Sequence, residues 1–298
     1  MIIGRYQIDF IDTGHFALDG GAMFGVVPKN LWAKAYPHVD EQNRIAMMSR
    51  SLLIRGGDRT IVVDAGCGEK LGEKLEAIYA IDRSRTGFVA ELERFGVKTD
   101  SVTDFVYTHL HFDHAGGSTR LDESGNAVPV FANARHYVQS DHLAWARSPS
   151  DKDRASFMPE NWEPVADHGL LESVDGGGEL LPGIELRVVN GHTRAMQLVI
   201  IHGNENSDGL IFCVDLIPMA PHLSLPYIMG YDNYPLTTLD EKKQIIPEAY
   251  ERSWLLAFEH DPFIDVVRIA PGKRGFEIAE RIDVSSSPTS EATTLRKQ

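Results

Sequence analysis

Ten residues, Thr108 to Gly117, restrict what this chain can fold into more than any other stretch. They follow an apolar run over 105–107 that predicts a buried strand. They hold three histidines and an aspartate within six positions, at His109, His111, Asp113 and His114. Alternate residues of an extended backbone point to the same side, so His109 and His111 can converge on one cation. Since only 12 of the 298 residues are histidine, we expect this spacing by chance on the order of once in a thousand such chains. The stretch therefore predicts a metal site at the end of a strand.

Three more donors stand downstream, each at the end of a predicted element. His192 follows a strand-like run over 184–189, Asp215 closes another over 210–214, and His260 follows a helical stretch. Sites in layered α/β proteins usually lie where elements end. A zinc ion takes three or four protein ligands, and a pair of metals shares an anionic bridge. The chain therefore carries enough donors for two metals.

The order HxHxDH, then a single histidine, an aspartate and a last histidine, resembles the metallo-β-lactamase superfamily. That resemblance implies an α/β fold, the four-layer αβ/βα sandwich. It also implies seven metal ligands: His109, His111 and His192 on a first metal, Asp113, His114 and His260 on a second, and Asp215 bridging both. The nitrogen and oxygen donors favour two divalent ions, with zinc as the best fit. Because the best-known class B β-lactamases have a cysteine in place of Asp215, a β-lactam substrate is disfavoured.

The expected chemistry follows from two cations that share one water. Their combined charge lowers the pKa of that water, so a metal-bridging hydroxide would attack an electrophilic carbonyl or phosphorus centre. The expected catalytic residues are Asp113 and Asp215. Asp113 would carry a proton to the departing alkoxide. The enzyme would be a metal-dependent hydrolase that needs no nucleophilic serine or cysteine.

Residues 13–28 are rich in glycine yet apolar, which is unusual for a solvent loop. A buried crossover is one interpretation. We favour a flexible lip in which Met23, Phe24 and Val26 cover an apolar substrate. The segment resembles the corresponding part of N-acyl homoserine lactone lactonases and of enzymes similar to methyl parathion hydrolase.

Residues 217–231 form a second apolar segment, directly after Asp215. Their prolines exclude a helix interior, and their methionines and aromatics suit a pocket wall that adapts to an acyl chain. His222, Tyr227 or Tyr231 could present a polar hydrogen to the substrate. The expected substrate is an N-acyl homoserine lactone, which would make the protein a quorum-quenching lactonase.

Other functions remain open at this point. A thioesterase of the glyoxalase II kind has the same seven ligands but would need a basic patch for glutathione, which the sequence does not show. Other esters and phosphotriesters suit the same metals. An iron-dependent redox protein would belong to a different class, and the flavin domain that usually accompanies it is absent from the sequence.

The composition of the chain restricts the kinds of partner that the protein can bind. A formal net charge of -14 speaks against nucleic-acid binding, which needs clustered Lys and Arg. Cys67 and Cys213 are expected to be buried free thiols. No apolar stretch is long enough for a signal core or a membrane span, so we expect a cytoplasmic protein that acts on a small molecule. Exposed apolar loops could also serve as a homodimer contact.

Periodicity predicts one domain over 1–284 and a loose tail over 285–298. Strands are expected at 6–11, 51–55, 60–64, 101–107, 129–138, 184–189, 197–202 and 210–214. Helices are expected at 68–80, 86–95 and 238–258. The segment 148–168 has no clear period and is expected to wrap the surface or to wall the pocket. Asp64 is either a hydrogen-bond partner of a ligand imidazole or a turn former. The remaining histidines are expected to be ordinary: His15, His38, His136, His142, His168 and His202.

Overall fold

The computed structural model describes residues 1–84 and 87–284. The predicted tail, 285–298, and the predicted first residue of the second helix, Thr86, lie outside these residues. Within the described ranges, every helix is too short or too polar to cross a lipid bilayer. Both cysteines are free thiols.

Two seven-stranded sheets form the centre of the fold. The first contains, in spatial order, β1 (Ile2–Ile3), β2 (Tyr6–Asp19), β3 (Arg44–Gly56), β4 (Arg59–Val63), β5 (Asp104–Val106), β8 (Arg135–Gln139) and β9 (Leu171–Val174). The second contains β10 (Gly178–Leu181), β11 (Ile184–Val189), β12 (Met196–Ile201), β13 (Gly209–Phe212), β14 (Trp254–Ala257), β15 (Val266–Gly272) and β16 (Gly275–Ile282). A separate hairpin joins β6 (Thr119–Leu121) to β7 (Ala127–Pro129).

Alternation along the strands divides the core into layers. In β4, Ile61 and Val63 pack between the sheets against residues of the second sheet, whereas Val62 faces outward onto helices. Phe105 and Val106 of β5 divide in the same way. This period of two follows from the pleat of the strand. The molecule is therefore the predicted α/β sandwich.

Helices pack around the two sheets. They are α1 (Gly20–Phe24), α2 (Lys29–Ala35), α3 (Gly72–Tyr79), α4 (Phe88–Arg94), α5 (Phe112–Ala115), α6 (Ser140–Arg147), α7 (Glu163–Asp167) and α8 (Pro235–Glu251). Leu92 of α4 and Leu143 of α6 pack against the first sheet, and Ile245 and Ala249 of α8 pack against the second. Single 3-10 turns occur at Thr99–Ser101, Gly116–Ser118, Arg154–Ser156, Pro159–Asn161, Val214–Leu216 and Ala220–Leu223.

Parallel pairing brings the ends of distant strands together. In the first sheet β4 pairs parallel with β5, and in the second β13 pairs parallel with β14. The carboxyl ends of parallel neighbours lie at the same edge of a sheet, where layered α/β folds place their sites. The residues that follow these four strands include Asp64, His109, Asp215 and His260.

Three predictions about elements are wrong. The helix predicted over 238–258 ends at Glu251, and residues 254–257 form the buried strand β14. A strand and a helical run cannot be distinguished in such a short apolar stretch by periodicity. The strand predicted over 129–138 is two strands, β7 and β8, which belong to different sheets. The lip predicted over 13–28 is regular structure, because β2 continues to Asp19 and α1 follows directly.

Candidate metal centre

The histidine cluster occupies the loop and the single helical turn that follow β5. His111 has an extended backbone, with φ -66° and ψ 155°, and α5 begins at the next residue. This turn places Asp113 and His114 on the same side as His109 and His111. The cluster therefore comes from one short segment, as the sequence predicted.

Gly116 and Gly117 allow the segment to lie close to the loop after β4. A Cβ atom on Gly116 would lie 2.1 Å from the carbonyl oxygen of Cys67, and one on Gly117 would lie 2.3 Å from that of Ala65. Both contacts involve backbone atoms, which cannot move aside as a side chain can. Larger residues at these positions would displace the cluster.

Four donor atoms converge in a first group, from His109, His111, His192 and Asp215. Nδ1 of His111 lies 3.1 Å from Nε2 of His109 and 3.1 Å from Nε2 of His192. Asp215 Oδ2 lies 3.0 Å from His192 Nε2 and 3.6 Å from His109 Nε2. Ligand atoms bound at about 2.0–2.1 Å around one tetrahedral zinc ion lie about 3.3 Å apart. The spacing suits one cation.

A second group consists of Asp113, His114 and His260. Nε2 of His114 and Nε2 of His260 lie 3.1 Å apart. The Asp113 carboxylate is more distant, with an oxygen 3.9 Å from each of these nitrogens. Asp215 reaches this group as well, because its Oδ1 lies 3.0 Å from His260 Nε2 and its Oδ2 lies 3.5 Å from His114 Nε2. Asp215 thus lies between the two groups.

The electrostatics of the groups suit a metal. Burial, assisted by neighbouring imidazoles, lowers the pKa of His109 and His111 well below the usual value, so both rings are neutral. Burial alone would raise the pKa of Asp215, but His192, His114 and His260 hold it well below its usual value. Among the described residues, its buried Oδ1 has no hydrogen-bond donor. Burial also opposes the charged forms of His192, His114 and His260, but nearby carboxylates raise the pKa of all three rings, that of His192 to about 9. A zinc ion would therefore displace protons from these three imidazoles, because metal ligands must be deprotonated.

Two buried carboxylates stand behind His114. Asp64 Oδ2 lies 3.2 Å from His114 Nδ1, and Glu259 Oε1 lies 3.0 Å from the same nitrogen. Asp64 also accepts hydrogen bonds from the backbone and the hydroxyl of Thr108, at 2.8 and 2.5 Å. Its backbone is left-handed, with φ 55°. Of the two predictions for Asp64, the structure favours the hydrogen-bond partner of a ligand imidazole.

His192 is supported by the start of α8 and the turn before it. Its Nδ1 donates to Asp232 Oδ1 at 2.9 Å, and Asp232 Oδ2 accepts from the Thr238 hydroxyl at 2.7 Å. The Glu241 carboxylate accepts the backbone N–H groups of Asn190 and of the next residue, at 2.6 and 3.1 Å. A carboxylate on the far nitrogen of an imidazole fixes its tautomer and its orientation.

His260 and the chain around it are held by β3. His260 Nδ1 donates to the carbonyl of Met48 at 2.9 Å. The buried guanidinium of Arg50 donates to the carbonyls of Phe258 and Asp261 and to the carboxylate of Asp265. Arg50 therefore closes the loop that carries His260.

Of the other histidines, His142 lies closest to the cluster. Its Nε2 accepts the backbone N–H of Leu110 at 2.8 Å, and its Nδ1 donates to the carbonyl of Arg194 at 2.6 Å. Burial lowers its pKa to about 4, so the ring is neutral. Both nitrogens have partners, so His142 is the satisfied core histidine that the sequence predicted.

A cleft of about 100 Å³ opens onto both groups. Its wall is mostly apolar and comes from five elements or loops: Leu18, Met23, Met47, Phe112 and Met229. Its polar rim consists of Tyr79, Lys152, Asp153, Ser156 and Tyr231. The segment predicted to wrap the surface or to wall the pocket thus contributes to the rim. Asp113, His111, His192, Asp215 and His260 lie at its base.

The residues expected to contact the substrate have different positions. Met23 lines the cleft. Phe24 lies in the core, stacked between Trp32 and His222 with ring centroids 5.0 Å away on each side. His222 is buried, and its Nε2 lies 2.8 Å from the carbonyl oxygen of Met23.

Val26 and Tyr227 also lie away from the cleft wall. Val26 is 93% exposed. Tyr227 packs edge-on against Phe24, with ring centroids 5.7 Å apart. Phe24, His222 and Tyr227 therefore form the support beneath Met23, and the phenols on the rim belong to Tyr79 and Tyr231.

Sequence reasoning missed Asp232, Glu241 and Glu259. No spacing rule links them to the ligands they support, because each contact joins separate elements. For Glu259 one signal was available, since it directly precedes His260 and follows the apolar residues 254–258. A charged residue in such a run indicates a buried partner.

Similarity to known proteins agrees with this geometry. The sequence model of the metallo-beta-lactamase superfamily matches residues 44–260. The chain is 28% identical over 239 residues to the N-acyl homoserine lactonase AiiB of Agrobacterium fabrum, an alignment that covers 70% of this chain and 78% of that protein.

Solved structures extend the likeness to nearly the whole chain. A probable metal-dependent hydrolase from Staphylococcus aureus has a TM-score of 0.84 and 28% identity, covering 95% of this chain and 100% of that one. AidC, a dizinc quorum-quenching lactonase, has a TM-score of 0.76 and 17% identity, covering 95% and 97%. At that identity the likeness to AidC concerns the fold alone.

The family match spans all seven donors, and the structure brings them to one edge of the sandwich. The chain belongs to the metallo-beta-lactamase superfamily and is a metal-dependent hydrolase.

Proposed function

We propose that this protein is a dinuclear lactonase that opens the ring of N-acyl homoserine lactones. The observation that carries the proposal is the cleft, in which an apolar wall of Met23, Met47 and Met229 leads directly to the donor groups. Methionines adapt their shape to flexible apolar ligands. The relatives named as N-acyl homoserine lactonases, such as AiiB, support the same substrate class.

The chain's own residues would hold two divalent ions, with zinc as our choice. His109, His111 and His192 would bind one ion, Asp113, His114 and His260 the other, and Asp215 would bridge them. When bound, such ions supply Lewis acidity and lower the pKa of water.

Asp113 and the cleft wall have further roles. Asp113 is the most loosely packed member of the cluster, 3.9 Å from its nearest imidazole nitrogens. It also faces the cleft, so a carboxylate oxygen can take up a proton there and deliver it to the departing alkoxide. The apolar wall would bury the acyl chain, orient the ring and exclude water from the tail.

A metal analysis combined with a substrate screen tests the proposal. The zinc-loaded protein should contain two ions per chain and should open N-acyl homoserine lactones in preference to simple esters, thioesters and phosphotriesters. The Asp215→Asn variant should lose this activity. His202→Ala, which changes a half-exposed histidine outside the cluster, should keep it.

Each alternative has its own outcome in the screen. Thiol release from S-lactoylglutathione without lactone opening would favour the thioesterase. Release of an alcohol from a phosphotriester alone would favour a phosphotriesterase, and an iron-containing coloured protein with electron-transfer activity would favour the redox class. Any of these outcomes would overturn the proposal that the protein is a lactonase.

A further inference from the structure

Glu259 is a buried carboxylate without a hydrogen-bond donor. It lies between β14 and His260 and is fully inaccessible to solvent. Over residues 1–84 and 87–284, neither of its oxygens has a hydrogen-bond partner. Oε1 approaches His114 Nδ1 to 3.0 Å, but outside hydrogen-bonding geometry. A buried carboxylate in this condition destabilises a protein unless a nearby positive charge offsets it.

Asp64 explains why His114 cannot supply that donor. The Nδ1 atom of His114 carries at most one hydrogen, and it already faces Asp64, which Thr108 holds in place with two hydrogen bonds. Glu259 is therefore the second carboxylate beside one ring nitrogen.

Other cations lie too far away or are already paired. The buried guanidinium of Arg50 interacts with Glu259 electrostatically, but its hydrogen bonds go to Phe258, Asp261 and Asp265. Within the part of the chain that the structure describes, the charge contacts of Glu259 shorter than 4.0 Å involve His114 alone. The carboxyl group of Glu259 is thus directed at His114.

The opposite nitrogen of that imidazole faces the second donor group. His114 Nε2 lies 3.1 Å from His260 Nε2 and 3.5 Å from Asp215 Oδ2. A carboxylate behind a metal-binding imidazole raises the electron density on its free nitrogen and strengthens the bond to the ion. Here two carboxylates stand behind the same ring.

We infer that Glu259 is a positioning residue for the second metal. Through His114 it increases the affinity of the protein for that metal, and it lowers the stability of the metal-free protein. The inference rests on the role proposed for His114. It predicts that removal of the Glu259 carboxylate weakens the binding of the second metal and raises the stability of the metal-free protein. A purely structural residue would not produce that combination.

The test compares Glu259→Gln and Glu259→Leu with the unchanged protein. Both variants are neutral and close to glutamate in size. Affinity for the first and second equivalents of Zn²⁺ is measured by competition with a chromophoric chelator, and the unfolding midpoint is measured in excess chelator. We expect the second equivalent to bind about 10- to 100-fold more weakly. The first should change less than about threefold, and the metal-free midpoint should rise.

Two further variants serve as controls. Glu259→Asp keeps the charge and should restore most of the affinity for the second equivalent. Asp104→Asn changes an equally buried carboxylate, which Arg59 and Tyr137 bond far from the ligands. It should lower the metal-free midpoint and leave both affinities unchanged.

The inference fails if the neutral variants lose metal-free stability as Asp104→Asn does and bind both equivalents normally. It also fails if both neutral variants cannot fold in the presence of Zn²⁺ while Glu259→Asp folds. A protein that binds two ions but opens no lactone would sink the proposed substrate and leave the role of Glu259 intact. Binding of fewer than two ions by the unchanged protein would refute both.

Discussion

Asp232→Asn removes the negative charge behind His192 without changing the volume of the side chain. Asp232 is only 2% exposed, and its two oxygens accept from His192 Nδ1 and from the Thr238 hydroxyl. A hydrogen bond to a charged group contributes about 1.5–3 kcal/mol and a neutral one about 1 kcal/mol. The asparagine can still accept from His192, so the loss is about 1–2 kcal/mol. We expect the first Zn²⁺ to bind about 5- to 30-fold more weakly.

The assay is a chelator competition on the stripped protein, with urea unfolding in parallel. Thr238→Val is the matched control because it has nearly the same shape and breaks only the other bond of Asp232. That variant should lose about 1 kcal/mol of unfolding free energy. Its affinity for the first metal should stay within about threefold of the unchanged protein.

One result would refute the reasoning. If Asp232→Asn loses stability to the same extent as Thr238→Val and binds the first metal normally, the carboxylate only secures the loop. The orientation of His192 would then depend on the backbone contacts of Glu241 instead.

Three other changes have defined outcomes. Gly191→Ala would place a Cβ 2.4 Å from the backbone nitrogen of Thr238, so urea unfolding should show a loss of about 1–3 kcal/mol; a loss below about 0.5 kcal/mol would contradict this packing. Burial lowers the pKa of Lys242 from 10.5 to about 7, so the unfolded chain binds more protons than the folded protein between these pH values. The free energy of unfolding should therefore rise from pH 7 to pH 10, and the Lys242→Met variant should lose this slope. Met229→Ala should lower kcat/KM about tenfold for a decanoyl lactone and much less for a butanoyl lactone, because the apolar contact of the deleted side chain contributes about 1–2 kcal/mol. Equal effects on both substrates would show that the acyl chain binds elsewhere.

The ligand segment was readable from sequence because its information is local. His109, His111, Asp113 and His114 lie within six residues, so strand and turn geometry alone bring them together. The strand predicted over 184–189 has the observed bounds, and its first half alternates, with Ile184 and Leu186 in the core. Similarity of pattern then connected His192, Asp215 and His260 to the same site.

Tertiary packing decided the elements that were wrong. Residues 254–257 are all buried, because β14 lies between β13 and β15. A fully buried strand has no alternation for a pattern to detect. The lip failed for another reason, since Trp32 packs against Phe24 and β3 pairs along the whole of β2, contacts that no local signal announces.

The carboxylates behind the ligands show where sequence reasoning stops. Asp64, Asp232 and Glu259 come from three separate parts of the chain, and in each case the partner is an imidazole from another part. Their effect depends on burial, because a carboxylate in water interacts only weakly with a ring at 3 Å, whereas the same contact in the interior is strong. Burial is also what makes such groups costly when they lack a donor. Asp64 and Asp232 have donors, from Thr108 and from Thr238, whereas Glu259 has none among the described residues, so the cost of burial falls on Glu259. All three contacts arise only when separate parts of the chain come together.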